Sequence, residues 1–184
     1  MKILLFGVSN VGKTTLGTIL AKRLGYSFYD LDEEVKREFH TTLEEFVHME
    51  NLRWRDQKRG RIIKKILSTN DNMVFAISPI SYTDNFRTRI VAEDVLPIVL
   101  VDTPENIFER LVFSDENDKT YTDDVYKNTC KEYYLKDIQA DIEWYGSVFN
   151  KMGIVNKFTI TKGTVKNNVD RLIQEYHLDI VNKI

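Results

Sequence analysis

At 184 residues, with 42% hydrophobic and 29% charged side chains, the chain has the size and composition of one soluble domain with a sizeable core. A net charge of −2, with acids and bases mixed along the chain, supplies no field that would favour nucleic acid. The lone Cys130 excludes an internal disulfide and a multi-cysteine zinc site and fits a reducing, cytoplasmic setting, and no run approaches the roughly 18 apolar residues of a membrane span.

Residues 2–6 are a short apolar run closed by Gly7, which predicts a buried parallel strand and is too short for a secretory h-region. Gly7-Val8-Ser9-Asn10-Val11-Gly12-Lys13-Thr14 follows and matches GxxxxGK[ST] between a strand and a helix. The glycines let successive backbone N–H groups turn toward phosphate oxygens beside the positive end of a helix. Gly7, Asn10, Val11, Gly12, Lys13, Thr14 and Thr15 are therefore candidate ATP-binding residues. Lys13 is placed to reach the β- and γ-phosphates, and the Thr14 hydroxyl to bind Mg²⁺.

Leu16, Ile19, Leu20 and Leu24 recur at helical spacing over 13–24, and Gly25 ends that helix. A second strand is predicted over 27–31 and a helix over 32–39. Asp30 and Asp32 stand at this junction, at the carboxyl end of a strand, where ligands bind in open α/β sheets. They can face one site together; Asp32 can equally cap a helix starting at Glu33. Thr42-Leu43-Glu44-Glu45 has the form of a capping box. A basic helix over 51–67 carries Arg53, Arg55, Lys58, Arg59 and Arg61, of which one or two face an acceptor and the rest form a solvated face.

The third strand, 73–77, is cut off by Pro79, with Ser78 either holding a metal-bound water or serving as a turn residue. A helix over 84–92 precedes the fourth strand, 96–101. That strand ends in Asp102, which reads as a metal organiser or as the residue before the cap Thr103. Pro104 then opens a helix predicted to run through Val112. Residues 114–124 are polar, with Lys119 as their single cation, and predict a mobile lid. A long helix to about residue 152 carries Tyr133, Tyr134, Trp144, Tyr145 and Phe149 as core residues. A fifth strand is predicted over 155–161 and a closing helix over 164–176. His40, His48 and His177 lack metal-ligand spacing. Alternating strands and helices imply right-handed crossovers and a three-layer α/β/α fold with a five-stranded parallel sheet. One domain, 1–184, is expected, with the lid at 114–124 and an acceptor-binding subdomain at about 32–69.

Leu24-Gly25-Tyr26-Ser27-Phe28-Tyr29-Asp30-Leu31-Asp32, 17 residues on from Lys13 at its first aspartate, resembles the shikimate kinase pattern of L-G followed by D-x-D. The resemblance continues through Asp32-Glu33-Glu34-Val35, the helix start at Thr42, the pair Trp54-Arg55 and Glu109-Arg110. It implies a P-loop kinase fold with strand order 2-3-1-4-5, ATP and Mg²⁺ as cofactors, and transfer of the γ-phosphoryl group to a hydroxyl of a small metabolite. It further implies Asp30 near Mg²⁺, Asp32 as general base on the acceptor hydroxyl, Arg55 at the acceptor's anionic or polar end, Arg110 on adenine and Lys119 as the lid cation.

Three family features are replaced. The G-G-G stretch after the third strand reads Ile77-Ser78-Pro79-Ile80, the R-P-L-L lid reads SDENDKTYTDD, and the arginine that grips the shikimate carboxylate aligns with Asp141. Shikimate is accordingly expected to be a poor acceptor. The other readings are a kinase for a different hydroxylated metabolite or a nucleoside monophosphate, and a regulatory or degenerate nucleotide-binding protein.

Overall fold

Alternate residues of the first strand, β1 (Lys2–Phe6), face opposite sides of a sheet, and both sides are buried. Ile3 and Leu5 join one core, with Leu16, Leu20, Val74, Phe108 and Leu172. Leu4 and Phe6 join the other, with Val35, Phe46, Ile63, Phe75 and Phe149. This two-sided burial is what a parallel sheet between helical layers requires. The computed structural model describes residues 1–178.

The elements follow in the order β1, α1 (Lys13–Leu24), β2 (Ser27–Asp30), α2 (Leu31–Phe39), α3 (Leu43–His48), α4 (Leu52–Leu67) and β3 (Met73–Ala76). Then come α5 (Arg87–Ile90), β4 (Val95–Val101), α6 (Pro104–Glu109), β5 (Phe113–Ser114), β6 (Thr120–Tyr121) and α7 (Asp124–Thr129). The chain continues through α8 (Lys131–Lys151), β7 (Lys157–Thr159) and α9 (Val165–Glu175). The main sheet has five parallel strands in the order β2-β3-β1-β4-β7, the expected 2-3-1-4-5 once the small hairpin is set aside. The fold is the expected three-layer α/β/α arrangement around a parallel sheet. Among the described residues no helix is long and apolar enough to cross a membrane.

Local stereochemistry set most boundaries. Gly25 (φ 70) closes α1, the full Thr42/Glu45 capping box opens α3, and Asn51, Thr103 and Thr164 cap α4, α6 and α9. Five expectations are corrected. The second strand stops at Asp30, whose carboxylate accepts from Asp32 N and so starts α2 at Leu31. The helix expected over 84–92 is only α5, one helical turn, preceded by a turn in which Asn85 Nδ2 donates to the Gln57 carbonyl. The helix expected through Val112 ends at Glu109, with Arg110 as its C-cap and the Arg110 side chain bonded to Asn10 and Asp102. Residues 113–121, overlapping the polar stretch, form an antiparallel hairpin, β5–β6, and the following helix is divided at Cys130 (φ −100, ψ 17).

Gly146, within α8, lines a mostly apolar cavity of about 170 Å³ beside Val11, Val99, Ile107 and Phe149, and a Cβ there meets nothing within 4 Å. Gly146→Ala is expected to stabilise the fold by about 1 kcal/mol through helix propensity. A melting temperature raised by about 2–4 °C is the corresponding measurement.

Candidate active site

The phosphate loop leaves β1 at Gly7 and its shape admits few other residues. Gly7 has φ 140, and a Cβ there would stand 2.9 Å from both the Leu100 carbonyl oxygen and Val11 Cγ1. Asn10 (φ 59) and Gly12 (φ 106) are also left-handed. Lys13 Nζ donates to the carbonyls of Gly7 (2.9 Å) and Val8 (2.8 Å). Burial pulls the pKa of this lysine down to about 8, against the attraction of Asp32 and Asp30.

From α1, Thr14 Oγ1 donates to Asp30 Oδ2 at 2.6 Å, while Asp30 Oδ1 accepts from Asp32 N at 3.0 Å. Asp30 is thus the helix cap and Asp32 is not, so Asp32 is left to line the adjoining cavity. That cavity, about 520 Å³, brings together Lys13, Thr14, Asp30, Asp32, Ser78 and Arg110. Desolvation and the nearby Asp30 push the Asp32 carboxyl above its ordinary pKa, opposed by Ser78, Arg59 and Lys13. The Ser78 hydroxyl faces Asp32 but is buried without a hydrogen bond of good geometry. A hydroxyl and a carboxylate oxygen in contact beside a phosphate loop form a hard-oxygen donor set that fits Mg²⁺, which takes one or two carboxylates and completes its shell with phosphate and water.

A second cavity of about 280 Å³ lies on the other side of Gly12, between Arg110, Asn106 and the Thr161–Lys162–Gly163 turn. Arg110 spans the two cavities: its Nε donates to the Asn10 carbonyl (3.1 Å) and its NH2 to Asp102 Oδ2 (2.6 Å). Asp102 is buried and also accepts from Thr103 N and Asn106 Nδ2. Three donors engage it, and its place is as the anchor of Arg110, not as a metal organiser.

Three expected site residues are placed elsewhere. Arg55 NH1 donates to the carbonyls of Val47, Met49 and Glu50 (2.5, 3.3 and 3.0 Å), which closes the C-terminal end of α3, and Arg55 does not line the cavity. The α4 cation whose charge acts on Asp32 is Arg59, one helical turn on, which is buried against the Phe46 ring and paired with Asp56 at 3.3 Å. Asp56 is fully buried and accepts from Ser81 N and Tyr82 N, so it pins the loop that replaces the glycine-rich stretch. Lys119 is exposed and lines neither cavity. Asp141 lines neither as well; what α8 sends to the loop after β3 is the Trp144 indole, whose Nε1 donates to Ser81 Oγ at 3.3 Å. Sequence reasoning named Arg59 within the basic cluster but carried Arg55 alone to the site, and it missed Asp56 and the 161–163 turn. Arg59 was legible as the residue four on from Arg55, on the same helix face; nothing local marked the other two.

A family model described as shikimate kinase matches residues 9–142, most of the chain. The shikimate kinase of Persephonella marina is 26% identical over 147 residues, covering 77% of this chain and 88% of that protein. That of Neisseria gonorrhoeae is 35% identical over 109 residues, or 59% and 64% of the two. The crystal structure of shikimate kinase from Bacteroides thetaiotaomicron superposes with a TM-score of 0.77 at 19% identity, over 96% of this chain and 98% of that one. The structure of the Acinetobacter baumannii shikimate kinase in complex with shikimate gives 0.71 at 21% identity, over 100% and 94%. The family model covers more than half of the chain, and the chain belongs to the shikimate kinase family.

Proposed function

We propose that this protein transfers the γ-phosphoryl group of ATP to a hydroxyl of a small metabolite. The observation that carries this reading is the Thr14–Asp30 contact, which shares one cavity with Lys13 and Asp32. In this reading the amides around Gly12 and the Lys13 ammonium hold the phosphates, and the smaller cavity under Arg110 receives the adenine. Thr14 and Asp30 hold Mg²⁺, which supplies neutralisation of phosphate charge. Asp32 orients the acceptor hydroxyl and takes its proton. Positioning and charge neutralisation supply most of the acceleration in such a transfer.

The acceptor is the finer point. With Arg55 engaged at the end of α3 and an acid at the position aligned with the carboxylate clamp, shikimate is expected to bind weakly. Losing one partner of a buried ion pair costs about 2–5 kcal/mol, roughly 30-fold to several thousand-fold in affinity. An ADP-release screen over hydroxylated metabolites, with shikimate included, tests both statements. Acceptor-dependent ADP release supports the kinase. Saturable shikimate phosphorylation at micromolar substrate would overturn the expectation about shikimate. ATP binding with no acceptor-dependent turnover supports the regulatory reading, which the exposed position of Lys119 favours.

A further inference from the structure

The hairpin formed by β5 and β6 carries no arginine, yet it is neither loosely built nor unattached. At its base the Phe113 ring packs against Tyr121, Tyr126 and Tyr134, with centroids 5.8, 5.8 and 6.0 Å away. At its tip Asp115 Oδ1 accepts from Asn117 N and Lys119 N, both at 2.9 Å, and Asp115 N donates to the Lys119 carbonyl. This side-chain turn holds Asp118 in the left-handed region (φ 59), which aspartate tolerates better than most residues.

Asp118 then reaches across to the acceptor-side subdomain. Its Oδ2 accepts from Leu43 N at 2.7 Å, a contact between residues 75 apart in sequence. Leu43 is the first residue of α3, whose first-turn amides need partners from outside the helix. Thr42 Oγ1 serves Glu45 N, and the lid aspartate serves Leu43 N. A carboxylate is also the group that the positive end of a helix favours. Lys36, already paired with Glu33, lies near enough to attract Asp118. Among the described residues, no hydrogen bond joins 113–121 to the phosphate loop. The hairpin roofs a cavity of about 360 Å³, where Thr14, Asp30 and Asp32 meet Ser114, Asp115 and Asp118; its base rests on Tyr126 and Tyr134, and its tip is hydrogen-bonded to the acceptor side.

We propose that Asp118 is a positioning residue that latches the lid hairpin onto α3, so that the roof over Asp30 and Asp32 is set from the acceptor side and is in place before nucleotide arrives. The latch itself is independent of the kinase reading; its consequence for turnover rests on that reading.

Amide hydrogen exchange on the full chain without ligand separates the two. Segment 113–121 is expected to be protected in the unsubstituted protein. Asp118→Ala should speed its exchange about tenfold, the loss of one charge-assisted hydrogen bond, and should deprotect Leu43, with the phosphate loop unchanged. Asp118→Asn, whose amide oxygen still accepts, should fall between, and the exposed Glu116→Ala should leave the lid as it was. With an acceptor in hand, Asp118→Ala should raise the acceptor KM and leave the KM for ATP unchanged, a split that a general loss of stability does not produce. Equal lid exchange with and without the Asp118 carboxylate overturns the latch. So does protection of 113–121 that appears only when ADP and Mg²⁺ are added.

Discussion

Lys13→Ala is expected to remove phosphoryl transfer, a loss of about 10²–10³-fold or more, while the protein keeps its fold. The ammonium is buried at the mouth of the phosphate cavity, and burial already lowers its pKa to about 8. Its charge is thus poorly solvated in the resting protein and most favourably used against phosphate oxygens. The hydrogen bonds it gives up, to the carbonyls of Gly7 and Val8, border a polar cavity where water can replace them, so little stability is lost. ADP release and thermal melting on the same preparation check both halves. A variant that retains more than a tenth of the original rate rules out this loop as the phosphate site.

Asp32→Asn should lower the rate about 10²–10⁴-fold with little change in nucleotide affinity, since asparagine keeps the hydrogen bond but cannot accept the acceptor's proton. The two aspartates are separable because the structure gives them different partners. Both oxygens of Asp30 are engaged, one by the Thr14 hydroxyl and one by Asp32 N. Asp32 instead lines the cavity, with Ser78, Arg59 and Lys13 acting on its carboxyl. Nucleotide titration by calorimetry beside steady-state rates makes the distinction. Collapse of nucleotide affinity in Asp32→Asn would assign Asp32 to the metal site and exchange the proposed roles.

Much of the architecture was legible one residue at a time. Two-sided burial of β1, the stop at Gly25, the Thr42 capping box and the Thr103-Pro104 helix start are consequences of backbone stereochemistry within a few residues, and each appears where the pattern put it. The hairpin at 113–121 escaped because strands of two residues have no period to detect, and its turn is held by a side chain, Asp115. The helix expected through Val112 failed for the opposite reason. Its pattern was adequate, yet the helix stops at the Arg110 cap, whose side chain is held by Asn10 and Asp102 from outside the helix.

By itself the sequence determined the phosphate loop, its lysine and hydroxyl, the paired aspartates and the alternation that makes a parallel sheet. All of these depend on spacing along the chain, and spacing is what sequence records. Which charged groups face the site was decided only by the tertiary structure. Arg55 closes α3, the Arg59 charge acts on Asp32, Asp56 pins the loop after β3, Asp102 holds Arg110, and Asp118 accepts from Leu43 N. A long polar side chain can reach any of several partners. The one it takes depends on which unsatisfied carbonyls, amides and charges the packed elements bring within reach, at separations in sequence where no periodicity survives.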